Sequence, residues 1–166
     1  MAAVKFSDLV AYFESLATKH VDINNSPEED HFYRYELDDV LAGISKDLNY
    51  PALILEGYDL NYKDEKSDNL QKTRNGAFIL LGYVGDSGDH DKIHDTWDFL
   101  EEIGEELVLK IKADKRDRSI KVVRDFDLND VDGTLLAIEE TGHYGIRFSY
   151  GITSARSKDL NPDKWK

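Results

Sequence analysis

The apolar stripe between residues 93 and 111 constrains the fold of this chain more than any other feature. Large apolar side chains recur there every three or four residues over about five helical turns: Ile93, Trp97, Leu100, Ile103, Leu107 and Ile111. This spacing predicts one long amphipathic helix, about 89–113, with a cationic end where the helix dipole is partially negative. A helix with one apolar face needs a second layer to cover it, so the rest of the chain has to supply one.

Strand-like segments supply that second layer. Residues 52–62 (ALILEGYDLNY) and 76–84 (GAFILLGYV) predict two neighbouring antiparallel strands, the second apolar enough to be buried on both faces. Three more short strands are predicted at 119–126 (SIKVVRDF), 134–140 (TLLAIEE) and 143–152 (HYGIRFSYGI). In the last of these strands, apolar side chains alternate along one face.

Two further helices and two irregular segments complete the prediction. The first helix, about 7–19, has Ser7 as its N-cap, and a second helix spans about 36–47. Residues 63–75 form a polar connection, and the tail 153–166 is irregular. The whole chain is therefore predicted to be one α+β domain, with an antiparallel or mixed sheet of about four to five strands packed against two to three helices.

Charge and composition exclude several classes of function. The chain has 34 acidic and 21 basic residues, so its net charge is −13, which repels nucleic acids and anionic membranes. It has no cysteine, which excludes disulfides, thiol catalysis and cysteine-ligated metals. The N-terminal residues carry acids within their apolar stretch, so neither a secretory signal nor a membrane span is predicted, and the default location is cytoplasmic.

The segment DFDLNDVDGTLLAIEE contains a candidate calcium site. Gly133 and Glu139 fit the sixth and twelfth positions of a calcium loop, and Asp130 and Asp132 then fit the third and fifth. The first position falls on Leu128, which has no carboxylate, and the preceding residues favour a strand where the motif needs a helix. These two failures favour a hairpin turn, in which Asp132 and Gly133 form the turn dipeptide.

The segment HDKIH offers a second metal candidate. His90 and His94 lie four residues apart, as in the zinc-protease helix motif, and Asp98 lies one turn further along the same face. Asp91 stands where that motif needs a longer glutamate, and helical ligands eight residues apart lie about 12 Å apart along the axis. An exposed helix start rich in Asp and His is the favoured interpretation. A metal-dependent, hydrolase-like enzyme that uses both histidines is the alternative.

The segment KIKADKRDRSIK, residues 110–121, is a basic island on an acidic chain. It holds six cations and two acids, for a local charge of +4. A solvated helix end followed by a charged loop is the favoured interpretation. The other interpretation is a binding surface for an acidic partner. The candidate contact residues are Lys110, Lys112, Lys115, Arg116 and Arg118.

The order of elements from Phe6 to Ile152 resembles that of the tail-terminator, or tail-completion, proteins of long-tailed bacteriophages. The resemblance rests on the strand pair PALILEGYDLNY and GAFILLGYV, the helix that begins DHDKIHDTWDFL, and the alternating strand YGIRFSYGI. In that family an N-terminal helix precedes a strand pair, a long amphipathic helix crosses the sheet, and closing strands follow. The predicted helix at 36–47 and the long connection from Lys63 are additions to the most compact members.

The resemblance implies a non-enzymatic virion protein without a cofactor. Such a protein assembles in the bacterial cytoplasm as a homo-oligomeric ring on the last ring of the tail tube. There it halts tube polymerisation and offers a surface to the head connector. No specific nucleic-acid binding and no membrane contact are expected, and an acidic lumen would keep DNA from sticking as it passes. A monomeric immunity-like or regulatory module, whose acidic face covers a basic partner, is a further alternative.

Overall fold

The structure, a computed structural model, describes residues 4–34, 48–64, 69–157 and 162–165 and confirms the α+β class. The helices are α1 (Phe6–Lys19) and α2 (His90–Arg116), with short 3-10 helices at Glu139–Thr141 and Pro162–Lys164. The strands are β1 (Phe32–Tyr33), β2 (Ala52–Leu55), β3 (Asp59–Asp64), β4 (Asn69–Tyr83), β5 (Phe126–Ile138) and β6 (His143–Ser157). The predicted helix at 36–47 lies outside the described residues.

Six strands form one mixed sheet in the order β1, β2, β4, β6, β5, and β3 pairs with β4 on the same side as β2. β1 runs parallel to β2, and the other pairings are antiparallel, as predicted for the strands of residues 52–62 and 76–84. β4 and β6 pair over their whole length, from Asn69 opposite Ser157 to Tyr83 opposite His143. At about 3.4 Å per residue, this central pair is about 50 Å long.

The sheet has more strands than predicted because residues 52–62 form two strands and because β1 was not foreseen. The polar connection predicted at 63–75 is largely strand, since residues 69–75 pair with β3 on one side and with β6 on the other. Similarly, residues 153–157 of the tail continue β6. Residues 69–75 and 153–157 were missed because they are largely polar and lack apolar alternation.

Helices α1 and α2 cover one face of the sheet and enclose the main core. The stripe of α2 is buried there, with Leu100, Ile103, Leu107 and Ile111 packed among side chains of α1, β4 and β6. The alternation predicted for β6 is confirmed, because its five apolar residues are each at most 7 % exposed. They are Tyr144, Ile146, Phe148, Tyr150 and Ile152. Within the described ranges, neither helix combines the length and apolar character needed to span a membrane.

A smaller apolar cluster lies on the opposite face of the sheet. Its buried members are Tyr33, Leu48, Ala52, Ile54, Ile79 and Leu81. Along β4, Ile79 and Leu81 belong to this cluster, whereas Phe78 and Leu80 belong to the main core. The prediction that this strand is buried on both faces is therefore confirmed.

The helix starts show local capping by acidic side chains. α2 begins one residue after the predicted position and ends three residues later than predicted. Its N-cap, Asp89, accepts a hydrogen bond from the backbone N–H of Lys92 at 3.1 Å. The predicted N-cap of α1, Ser7, lies inside the helix; the helix begins after Lys5, whose backbone N–H donates to Asp8 at 2.8 Å.

The strand predicted at 119–126 is wrong except for its last residue. Residues 122–125 are turns, and backbone hydrogen bonds join Phe126 to Val123 and Arg124 to Lys121. Val123 and Phe126 are fully buried, whereas Lys121 and Arg124 are exposed. Burial therefore recurs every three residues, which fits successive turns and not the two-residue period of a strand. Residues 134–140, also predicted as a strand, form the end of β5 and enter a 3-10 turn at Glu139.

Candidate functional site

The three candidate zinc ligands at the start of α2 do not converge on a site. His90, His94 and Asp98 are all exposed on the helix, and the His94 ring stacks on Trp97 with centroids 6.2 Å apart. Across the part of the chain that the structure describes, no three His, Asp or Glu side chains lie close enough together to hold a metal ion.

The candidate calcium residues are spread along β5 and beyond it. Asp130 and Asp132 lie in β5, and Glu139 lies in the 3-10 turn that follows. The prediction that Asp132 and Gly133 form a hairpin turn is wrong, because they pair with Ser149 and Phe148 inside the sheet. The strand instead contains a bulge between Asp127 and Asp132. The chain reverses at Gly142, whose φ of 71° is the left-handed conformation that glycine adopts readily.

The basic island divides into residues with internal partners and residues without them. Lys110 pairs with Asp114, and the Lys115 ammonium donates to the backbone carbonyl of Phe126. Among the described residues, no partner approaches the other three candidate cations, which are exposed. They are Lys112, Arg116 and Arg118. Of the five candidate contact residues, these three are therefore the ones whose charge has no partner among the described residues.

Three strands lie at open edges of the sheet in the described part of the chain: the two-residue β1, which pairs only with β2, and the longer β3 and β5. β3 pairs only with β4, and β5 pairs only with β6. β3 joins residues 69–75 of β4 and 151–157 of β6 in what we call the three-stranded arm. The arm exposes Leu60 and Tyr62, and Leu135 is half exposed on β5. Residues 59–62 and 151–152 of the arm lie in predicted strands, whereas the polar residues 63–64, 69–75 and 153–157 were not predicted as strand.

A polar cleft lies where β2 ends and β3 begins, beside β4. Its volume is about 580 Å³, and it is lined by Glu56, Asp59, Asn75, Asp130, Arg147 and Tyr150 among others. Arg147 Nε donates to Glu56 Oε2 at 2.8 Å, and the Glu56 side chain is only 11 % exposed. The guanidinium thus supplies the charged partner that a carboxylate needs when it leaves water.

The floor of this cleft holds a buried hydroxyl group. Tyr150 is 2 % exposed, and its hydroxyl has no hydrogen-bond partner among the described residues. The hydroxyl lies over Gly76, where a β-carbon would come within 2.7 Å of the hydroxyl oxygen. Burial raises the pKa of Tyr150, and the neighbouring Tyr58 and Glu56 raise it further, so the group stays protonated at neutral pH.

No motif or spacing in the sequence predicts this cleft. Glu56 ends an apolar strand, and Arg147 interrupts the exposed side of an alternating strand, but the two residues are 91 positions apart. Their meeting depends on β4 lying between β2 and β6, with Ile79 opposite both Ile54 and Arg147. A composition or spacing argument cannot supply that register.

A second polar cluster surrounds His143 near the chain reversal. His143 Nε2 lies 2.7 Å from the Tyr50 hydroxyl, and Nδ1 lies 2.8 Å from Thr141 Oγ1. Burial lowers the pKa of His143, and burial also raises the pKa of Tyr50 to about 12. Both ring nitrogens of His143 lie within hydrogen-bond distance of hydroxyl groups, and the residue is 2 % exposed. The ring therefore has no free nitrogen that could act as a base on a substrate.

The comparisons with known proteins found no match: no protein-family model, no curated protein and no solved structure is similar to this chain.

Proposed function

We propose that this chain is a non-enzymatic assembly protein of the tail-terminator type. It forms a homo-oligomeric ring that caps the tail tube of a long-tailed bacteriophage and offers a surface to the head connector. It acts in the virion after assembly in the bacterial cytoplasm. The observation that carries the proposal is the three-stranded arm with its open edge.

The arm has the features of a surface that another chain covers. All six residues of β3 are exposed, including the large apolar side chains of Leu60 and Tyr62. The Lys72 ammonium lies 5.8 Å from the centre of the Tyr62 ring, a contact that holds the ring in place without burying it. Apart from Arg74 and Ile152, which are buried at its base, the described residues of the arm bury no large side chain, so a covering partner would stabilise it.

The second open edge, β5, provides a surface for that partner. β3 and β5 lie on opposite sides of the central pair β4 and β6. An edge strand presents unpaired N–H and C=O groups, and joining β3 of one copy to β5 of the next extends the sheet from subunit to subunit. Because the two edges differ, the contact is head-to-tail, and a head-to-tail contact closes into a ring when its rotation permits.

The test is the solution mass across a concentration series, measured by light scattering after size-exclusion chromatography, with electron microscopy of any large species. We expect rings that persist in EDTA. Leu60→Lys places a charge on the β3 edge and should raise the concentration for half-assembly at least about tenfold, equivalent to about 1.4 kcal/mol per contact. Val21→Lys is the matched control, because Val21 is an exposed aliphatic residue outside every strand.

Two results would contradict the proposal. A wild-type chain that remains a monomer at every concentration and does not bind tail tubes fits a binding module better than a ring subunit. Equal effects of Leu60→Lys and Val21→Lys would show that self-association does not use the arm.

A further inference from the structure

The polar cleft carries an excess of negative charge. Three carboxylates line it, from Glu56, Asp59 and Asp130, against the single guanidinium of Arg147, so its formal charge is −2. Glu56 and Arg147 are paired, whereas Asp59 and Asp130 are exposed and have no partner in the part of the chain that the structure describes. Carboxylates gathered in a concave surface focus the field on a cation that enters it.

The Tyr150 hydroxyl is an independent sign that the cleft is incomplete. A buried hydroxyl without a hydrogen bond costs about 1–3 kcal/mol. This hydroxyl lies beside Gly76, which itself lines the cleft, and close to Tyr58 and Glu56. A hydroxyl oxygen accepts hydrogen bonds from ammonium and guanidinium groups, and carboxylates form their strongest pairs with the same groups.

The basic island is the cation source that the chain itself offers. Lys112, Arg116 and Arg118 are exposed and without partners in the described ranges. α2 packs on the face of the sheet that holds Phe148, whereas Arg147, the next residue, points from the opposite face into the cleft. Within the described part of one copy, none of these three cations pairs with a carboxylate of the cleft, so a contact between the island and the cleft requires a second copy.

We propose that the cleft receives an arginine or lysine side chain from the basic island of a second copy. This inference rests on the proposed self-assembly and identifies one of its contacts. The entering cation pairs with Asp59 and Asp130 and brings the cleft toward neutrality. Because the charges lie near the surface, the contact weakens as ionic strength rises.

A direct test does not require a complete ring. The ¹⁵N-labelled full chain, kept below its assembly concentration, is titrated with a peptide of residues 108–121 and followed by NMR. We expect saturable shifts at Gly76, Arg147 and Ser149. The double variant Asp59→Asn/Asp130→Asn should bind at least about tenfold more weakly, which corresponds to about 1.4 kcal/mol. Asp91→Asn/Asp98→Asn is the matched control, since it removes two exposed carboxylates from α2. A peptide carrying R116Q and R118Q should bind weakly to every chain.

The outcomes separate this inference from the proposed function. Peptide binding that is equal in both double variants, or shifts that map away from the cleft, overturns the inference. Free arginine that binds the cleft as tightly as the peptide also overturns it, because the basic segment then adds nothing. If such a chain still forms rings, the proposed function stands alone. A wild-type monomer whose cleft binds the peptide supports the contact and counts against assembly of the isolated chain.

Discussion

Gly104, in the middle of α2, is the position where a single added methyl group tests the packing of the core. A β-carbon at Gly104 would overlap the edge of the Phe148 ring, well inside the 3.4 Å of an ordinary contact. The ring would have to retreat by about 1 Å in an interior packed like a crystal. The Phe148 ring has little room to move, because it stacks on Phe78 with ring centroids 4.9 Å apart. Gly133 of β5 also lies close to the ring, since a β-carbon built there would be 3.3 Å from it.

Two effects of Gly104→Ala oppose each other, and their magnitudes decide the sign. Alanine is favoured over glycine inside a helix by about 1 kcal/mol. Overpacking of a rigid core costs about 1–3 kcal/mol, and the trapped ring places this site at the upper end. We therefore expect the free energy of unfolding to fall by about 2 kcal/mol. For a chain of this size, that lowers the melting temperature by about 4–8 °C.

Urea unfolding followed by far-UV circular dichroism measures the change. Gly133→Ala is the control, because its β-carbon would meet the same ring at 3.3 Å; the ring then has to move by only a few tenths of an ångström, and the loss of stability should be smaller. Phe148→Leu frees space beside Gly104, so the double variant Gly104→Ala/Phe148→Leu should be more stable than the sum of the two single effects predicts. A Gly104→Ala chain as stable as the wild type would refute the reasoning, since it would mean that the ring yields at no cost.

Two further predictions concern buried hydrogen bonds. The Tyr12 hydroxyl of α1 donates to Asp114 of α2 at 2.9 Å. Tyr12→Phe should therefore lower the free energy of unfolding, measured in urea, by about 2 kcal/mol. Removal of an exposed hydroxyl, such as that of Ser7, should change this free energy little. Burial lowers the pKa of His143 below its ordinary value of 6.5, so the unfolded chain binds the proton more readily. The contribution of His143 to stability should therefore be complete above pH 6.5 and decline as the pH falls below it. In thermal melts between pH 5 and pH 7, His143→Gln should reduce the dependence of the melting temperature on pH. An unchanged pH dependence would contradict the role given to His143.

The parts of the fold that the sequence predicts are those where burial is one-sided and periodic. The stripe of α2 and the alternation of β6 each repeat a buried position over many residues, so the pattern identifies both the element and the face it buries. The pairing of β2 with β4 follows from two neighbouring apolar runs. In all three cases, the residues that are buried are also the ones that the repeat of the helix or strand places on one face.

The parts that were missed are stabilised by other interactions. The end of β3 and the first half of β4 are held by backbone pairing, which leaves no apolar signature. The turns at 122–125 contain valines that favour strands, yet the burial of Val123 and Phe126 overrides that preference. The cleft depends on register between strands far apart in sequence. Spacing could therefore predict the charges of the basic island but not the acidic surface that we propose as its partner.

The bulge in β5 interrupts the regular pairing along this open edge. An exposed, regular edge strand pairs with many chains, and proteins limit this with bulges and charged side chains. In the first half of β5, both devices occur together, because the bulge between Asp127 and Asp132 interrupts the ladder and also displays Asp130. The second half, from Thr134 to Ile138, pairs regularly with β6 and exposes Leu135. In the proposed ring, the strand of a neighbouring copy therefore adds along this short regular half, while Asp130 lines the cleft and attracts the cation proposed to enter it. Edge pairing and charge pairing then select the same partner, which is the condition for a head-to-tail contact that closes without aggregating.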